Sequence, residues 1–215
     1  MRRGHALALG LSGVALGGAA LAVTVAPTDA QHQQAIAQGE ALAAKHQGYP
    51  VADYVLYSVP DSLILSKGEG SVEAVQLATP LERVRWGSYF LTIQGKPVTP
   101  EGVQKAAYLP PNDVAVIVYA HSQSGDEKNQ DFLKNFGSAH LTLRGQTLTP
   151  AQTERSGASR NDYRDENNQV VFRWTGTVTY RFSLPPGASD QSGRLRFTDA
   201  VGKSYDLPLD LAKYR

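Results

Sequence analysis

The sequence predicts an all-β domain of the sandwich type, preceded by an apolar targeting segment and a short helix. Three observations predict it. From Tyr49 onward, short runs rich in Val, Leu, Ile, Tyr and Phe alternate with clusters of Gly, Pro, Asn and Asp, the punctuation of short strands joined by turns. In "TVTYRFSL", Val178, Tyr180, Phe182 and Leu184 alternate with Thr177, Thr179, Arg181 and Ser183, so one face of that strand is buried and the other is wet. The run "VAVIVYA" at 114–120 lacks alternation and is apolar throughout, as expected of a central strand covered on both faces.

Residues 1–30 read as a targeting segment. Arg2 and Arg3 precede residues 6–26, which carry no charge, and "PTDAQ" then turns the composition polar. A secretory signal has an apolar region of about 7–15 residues, whereas crossing a bilayer takes about 20. The run is 21 residues long but rich in Ala and Gly, and "TDA" offers small residues for cleavage after Ala30. A cleaved signal peptide and a retained membrane anchor are therefore both open. Either reading places the rest of the chain outside the cytoplasmic membrane, in the periplasm or cell envelope.

Residues 31–48 are rich in Ala and Gln, with Ala35, Ile36, Leu42 and Ala43 at near-helical spacing and Gly48 and Pro50 as a stop. They predict a helical spacer, or a surface for self-association into a homo-oligomer. The sandwich domain then occupies 49–215. Its expected strands are "DYVLYSV", "SVEAVQLA", "YFLTIQG", "DVAVIVYAH", "AHLTLRG", "VVFRWTGTVTYRFSL", "GRLRFTDA" and "SYDLPLDL". Trp86 and Trp174 are the expected aromatic anchors of the core. "LTIQGKPVTP" at 91–100 recurs as "LTLRGQTLTP" at 141–150, and each copy predicts a hairpin with a glycine turn.

Composition excludes several classes. With 21 basic and 20 acidic residues the formal charge is +1, which gives no field to draw in nucleic acid. The chain has no cysteine, and so no disulfide, thiolate metal site or thiol nucleophile. H-E-x-x-H, G-x-S-x-G, S-x-x-K, the P-loop and the dinucleotide fingerprint are all missing, removing the usual supports for hydrolases and nucleotide enzymes. Asp162, Asp165 and Glu166 gather in "RNDYRDENN" without the glycine or spacing of an EF-hand.

The succession "NDVAVIVYAHSQSGDE", "NFGSAHLTLRGQTLTP" and "TGTVTYRFSLPPGASDQSGRLRFTDAVGKSYDLPLDL" resembles the immunoglobulin-like, telokin-like β-sandwich of exported bacterial envelope proteins and lipoproteins. The resemblance covers about residues 70–211. It implies a structural or interaction role among other envelope proteins and brings no catalytic residues. The missing lipoprotein cysteine is a departure from that pattern.

One stretch predicts chemistry. His121 ends the apolar run at 114–120, and His140 opens the run at 140–143, with a polar loop between them. Paired as neighbouring antiparallel strands, these runs would bring the two imidazoles together at one rim. Asp126, Glu127 and Asp131 from the loop would complete a nitrogen and oxygen set suited to copper or zinc. A rim copper site on a sandwich suggests a superoxide-dismutase-type metalloenzyme, although the His-x-His strand of those enzymes is missing. The non-catalytic envelope module is the leading expectation and the metalloenzyme the alternative.

Overall fold

The computed structural model describes residues 23–46, 48–65 and 70–214. The first 22 residues of the expected targeting segment lie outside the described residues. In chain order the helices are α1 (Asp29–Ala44), α2 (Pro80–Ile93) and α3 (Pro100–Ala107). The strands are β1 (Val55–Ser58), β2 (Val72–Ala78), β3 (Asp113–His121), β4 (His140–Leu143), β5 (Gln146–Leu148), β6 (Gln152–Arg155), β7 (Ser159–Arg164), β8 (Val170–Ser183), β9 (Ser192–Thr198) and β10 (Ser204–Asp210). They form two antiparallel sheets. One has the order β1-β2-β3-β8-β6, with β7 also paired to β8, and the other has the order β10-β9-β4-β5.

The alternation read in the sequence sets the core. Val178, Tyr180 and Phe182 of β8 join Val114, Val116 and Val118 of β3 and Val75 and Leu77 of β2 in one buried cluster. That cluster also contains Leu141 and Leu143 of β4, Leu195 and Phe197 of β9 and Leu209 of β10. Apolar faces of both sheets thus share one interior, a sandwich-like arrangement. Each such side chain contributes about 1.5–3 kcal/mol through burial. Residues upstream of α1 belong to it as well, since Val23 is in the cluster and Val25 packs against it.

The expected all-β content is corrected by the helices. "YFLTIQG", predicted as a strand, forms the last turn of α2 and its exit. Thr79 caps this helix, accepting from the Glu82 amide at 3.2 Å, and Pro80 follows in the first turn, where a missing N–H costs nothing. Once the helix is nucleated there, the apolar residues that suggested a strand pack on a helical surface instead. The two copies of the internal repeat consequently differ. The first ends α2 and caps α3 through Thr99, whose hydroxyl accepts from the Gly102 amide at 3.0 Å. The second is the β4–β5 hairpin, turned at Arg144 and Gly145, both at positive φ, as a two-residue type I′ turn requires.

Helix α1 lies against α2. Its buried residues are Ala35, Gly39 and Ala43, one small residue per turn. A Cβ on Gly39 would stand 2.3 Å from the Arg85 carbonyl oxygen and 2.0 Å from Ser88 Oγ, so only glycine permits this approach. The Ser88 hydroxyl donates across the contact to the Ile36 carbonyl at 3.1 Å. The helix thereby uses its small-residue face within the chain.

Candidate functional site

Strand β3 is paired with β8 over its whole length, from Asp113 opposite Ser183 to His121 opposite Thr175. Val114, Val116, Val118 and Ala120 face the core, so Ala115, Ile117, Tyr119 and His121 project from the outer face. Thr175, Thr177, Thr179 and Arg181 lie beside them by register. Helices α2 and α3 cover only one half of this surface. Beneath them is a cavity of ≈ 320 Å³ lined by Arg83, Trp86, Tyr108, Ile117, Glu154 and Arg181, among others. Trp86 is therefore an anchor of the helical layer, with the Arg83 guanidinium 4.1 Å over its ring. The expectation that β3 is covered on both faces holds for its first half, where Ala115 is buried; Tyr119 is 37% exposed.

A polar group lies under the helices. The Glu82 side chain is fully buried, neither carboxylate oxygen has a hydrogen-bond partner among the described residues, and Arg83 Nε lies 3.7 Å from Oε2. Burial raises its pKa above the ordinary carboxyl range, with Arg83 opposing. Around it, the Tyr49 hydroxyl donates to the Glu82 carbonyl at 3.1 Å, and Arg85 donates to the hydroxyls of Tyr49 and Tyr54. Burial also raises Tyr119, whose hydroxyl donates to Gln76 at 3.1 Å.

The uncovered half forms a hollow of ≈ 580 Å³. Tyr119, Thr175 and Thr177 supply its floor, Ser159, Asn161 and Tyr163 of β7 one wall, and Glu73 and Leu63 the other side. Its hydroxyls are held in place. Ser159 Oγ lies 3.2 Å from Thr175 Oγ1, and Asn161 donates to that Thr175 oxygen at 3.0 Å. The Tyr163 hydroxyl donates to Glu73, and burial followed by that carboxylate raises the phenol's pKa. Between β6 and β7 the edge kinks at Ser156, whose Oγ accepts from the Thr177 amide at 2.9 Å. The segment at 63–65 pairs with Arg164 and covers that end of the edge. All four residues of β6 stay exposed.

The predicted rim site is not assembled as expected. β3 pairs with β2 and β8, whereas β4 pairs with β5 and β9 in the other sheet. Ala120 and Leu141 are core residues, so alternation turns the neighbouring His121 and His140 to opposite outer faces. His121 Nδ1 is 2.9 Å from the Ser122 carbonyl oxygen, and its ring lies 5.4 Å from that of Tyr163. His140 is exposed, opposite Arg196.

The connecting loop crosses between the sheets because it carries its own apolar plug, Phe132, Leu133 and Phe136. Two of its carboxylates have local partners and the third lies on an exposed turn. Asp126 accepts from Ser124 Oγ at 2.7 Å, Glu127 opens an exposed turn, and Asp131 accepts from Lys134 at 2.6 Å. Trp174 pins the loop by donating from Nε1 to the Asp126 carbonyl at 2.9 Å. Among the described residues, no group of three or more His, Cys, Asp and Glu side chains is placed to hold a metal ion. Asp165 accepts from the Asn167 and Gln169 amides at 2.9 and 2.8 Å, the work of a β7–β8 turn residue.

Sequence reasoning missed Tyr119, Tyr163, Glu73, Ser159 and Asn161 as site residues. The wet face of β8 was legible, but the partners that make it a hollow come from β2 and β7. Comparison of the chain with protein families, curated proteins and solved structures gives no match.

Proposed function

We propose that the chain is an exported, non-catalytic module of the cell envelope, with an immunoglobulin-like sandwich, that binds another envelope protein on the uncovered half of its larger sheet. The observation that carries this reading is the hollow over β3, β7 and β8, with Tyr119 37% exposed on its floor and ordered hydroxyls around it. A largely uncharged surface of fixed donors and acceptors beside an aromatic ring suits a peptide segment, because backbone amides and an apolar side chain can both be satisfied there. The neighbouring β6 edge offers further backbone groups to the same partner. The immunoglobulin-like part of the reading is supported by the two antiparallel sheets and by the turn at 183–189, where Gly187 takes positive φ. Thr177→Arg tests the function by placing a long cation in the hollow. It should abolish co-purification of the partner from envelope extracts while leaving the melting temperature within about 2 °C, as for a surface change. Undiminished co-purification would refute the reading.

A further inference from the structure

Export and the folded structure make different demands on residues 23–30, and together they place the processing site. Cleavage after Ala30 would remove every residue upstream of Gln31. Yet Val23 is 2% exposed and belongs to the core cluster. Its N–H donates to the Ser189 carbonyl at 2.8 Å, and the Val25 carbonyl accepts from the Asn112 amide at 2.7 Å. Thr28 caps α1 in a reciprocal capping box with Gln31, and Asp29 and Ala30 already belong to that helix. A chain beginning at Gln31 would lose a buried valine, two backbone hydrogen bonds and the cap of a helix packed on α2.

The apolar run is also divided by this observation. Of residues 6–26, Val23 and Val25 serve the interior of the fold, so their apolar character does not measure the targeting signal. Ahead of them stands Ala20-Leu21-Ala22, the small-x-small pattern read by signal peptidases. The apolar stretch before that tripeptide, residues 6–19, is 14 residues long, inside the range of about 7–15 for a secretory signal. The excess length that favoured an anchor is thus accounted for by the fold.

We propose that the chain is processed after Ala22, so that the exported protein begins at Val23 and keeps residues 23–30 as part of its domain. The new terminal nitrogen is the one that already donates to Ser189, so the cut leaves that hydrogen bond in place. This inference rests on the export reading and adds the site of the cut.

The test is expression of the full chain with a C-terminal tag in a secreting bacterium. Protease accessibility from outside the cytoplasmic membrane comes first, and intact mass and N-terminal sequencing of the accessible chain follow. The expected first residue is Val23. An accessible chain that begins at Gln31, or still carries Met1, overturns the proposal while leaving export standing. A chain found only inside overturns export and the proposal with it. Ala22→Phe puts a bulky side chain where the peptidase needs a small one, and should convert at least nine-tenths of the accessible product to uncut precursor. Processing of that variant at an unchanged rate is the opposite result.

Discussion

Asp199, in the turn between β9 and β10, accepts a hydrogen bond from the Ser71 amide at the entrance to β2, 2.7 Å away. The carboxylate also accepts from the amides of Val201 and Lys203 at 3.0 and 2.8 Å, and it is 1% exposed. One side chain thereby shapes a turn of the smaller sheet and ties it to a strand of the larger. Asp199→Ala leaves three amides short of their side-chain partner, that of Ser71 in a buried residue. The expected loss is about 2–4 kcal/mol in urea unfolding, with the slope unchanged, since hydrogen bonds to charged groups contribute about 1.5–3 kcal/mol each and relaxation recovers part. A loss under about 0.5 kcal/mol would show that the two sheets do not depend on this link.

The buried carboxyl under α2 predicts a pH dependence. Burial raises the pKa of Glu82 in the fold, so the native state holds its proton more tightly than the unfolded chain. Its favourable contribution is present below the ordinary carboxyl range and is lost as pH rises through the folded value. Glu82→Gln, neutral at every pH, should therefore be more stable than the wild type at pH 7. The difference should shrink as pH falls towards 5. Parallel unfolding curves between pH 5 and 8 would show an advantage independent of pH if the account were wrong.

At the crossing of α1 and α2, helix propensity and packing oppose each other. Replacing Gly39 by Ala favours the helix by about 0.8–1 kcal/mol, but the new Cβ meets a backbone carbonyl at 2.3 Å. Overpacking costs about 1–3 kcal/mol, and backbone cannot swing aside as a side chain tip can. Packing should win, and Gly39→Ala should lower the melting temperature. Gly48→Ala, with nothing within 4 Å of the added carbon, is the control that should not.

Much of the architecture was legible in the sequence. Period-two alternation marked the buried face of β8, and the continuous apolar run marked β3 as central, because strand geometry converts those patterns directly into faces. Helix α2 was missed for a reason also present in the sequence. Thr79, Pro80 and Glu82 form a helix-start signal, but "YFLTI" has the composition of a strand, and the two signals conflict. The relation of His121 to His140 was illegible locally, since nearness along the chain carries no information about which sheet the next strand joins. Phe132, Leu133 and Phe136 were the available hint that the loop passes through the interior rather than turning back.

The placement of the two histidines predicts independence. Side chains on opposite faces with no shared partner should have additive effects, so His121→Ala and His140→Ala should combine to within about 0.5 kcal/mol. The same cycle measured with Cu²⁺ or Zn²⁺ should give the same sum. A coupling above about 1 kcal/mol that appears only with metal would bring the two imidazoles to one ion and contradict the separation of the sheets.

The central claim is that the uncovered half of the larger sheet is the working surface. It is tested most directly by photo-cross-linking in living cells, with a photoreactive amino acid placed in turn at Thr177, in the hollow, and at Arg196, on the outer face of the smaller sheet. The account predicts one discrete heavier species from position 177, suppressed by Tyr119→Ala, and none from position 196. No adduct at 177, or equal adducts from both positions, would contradict it.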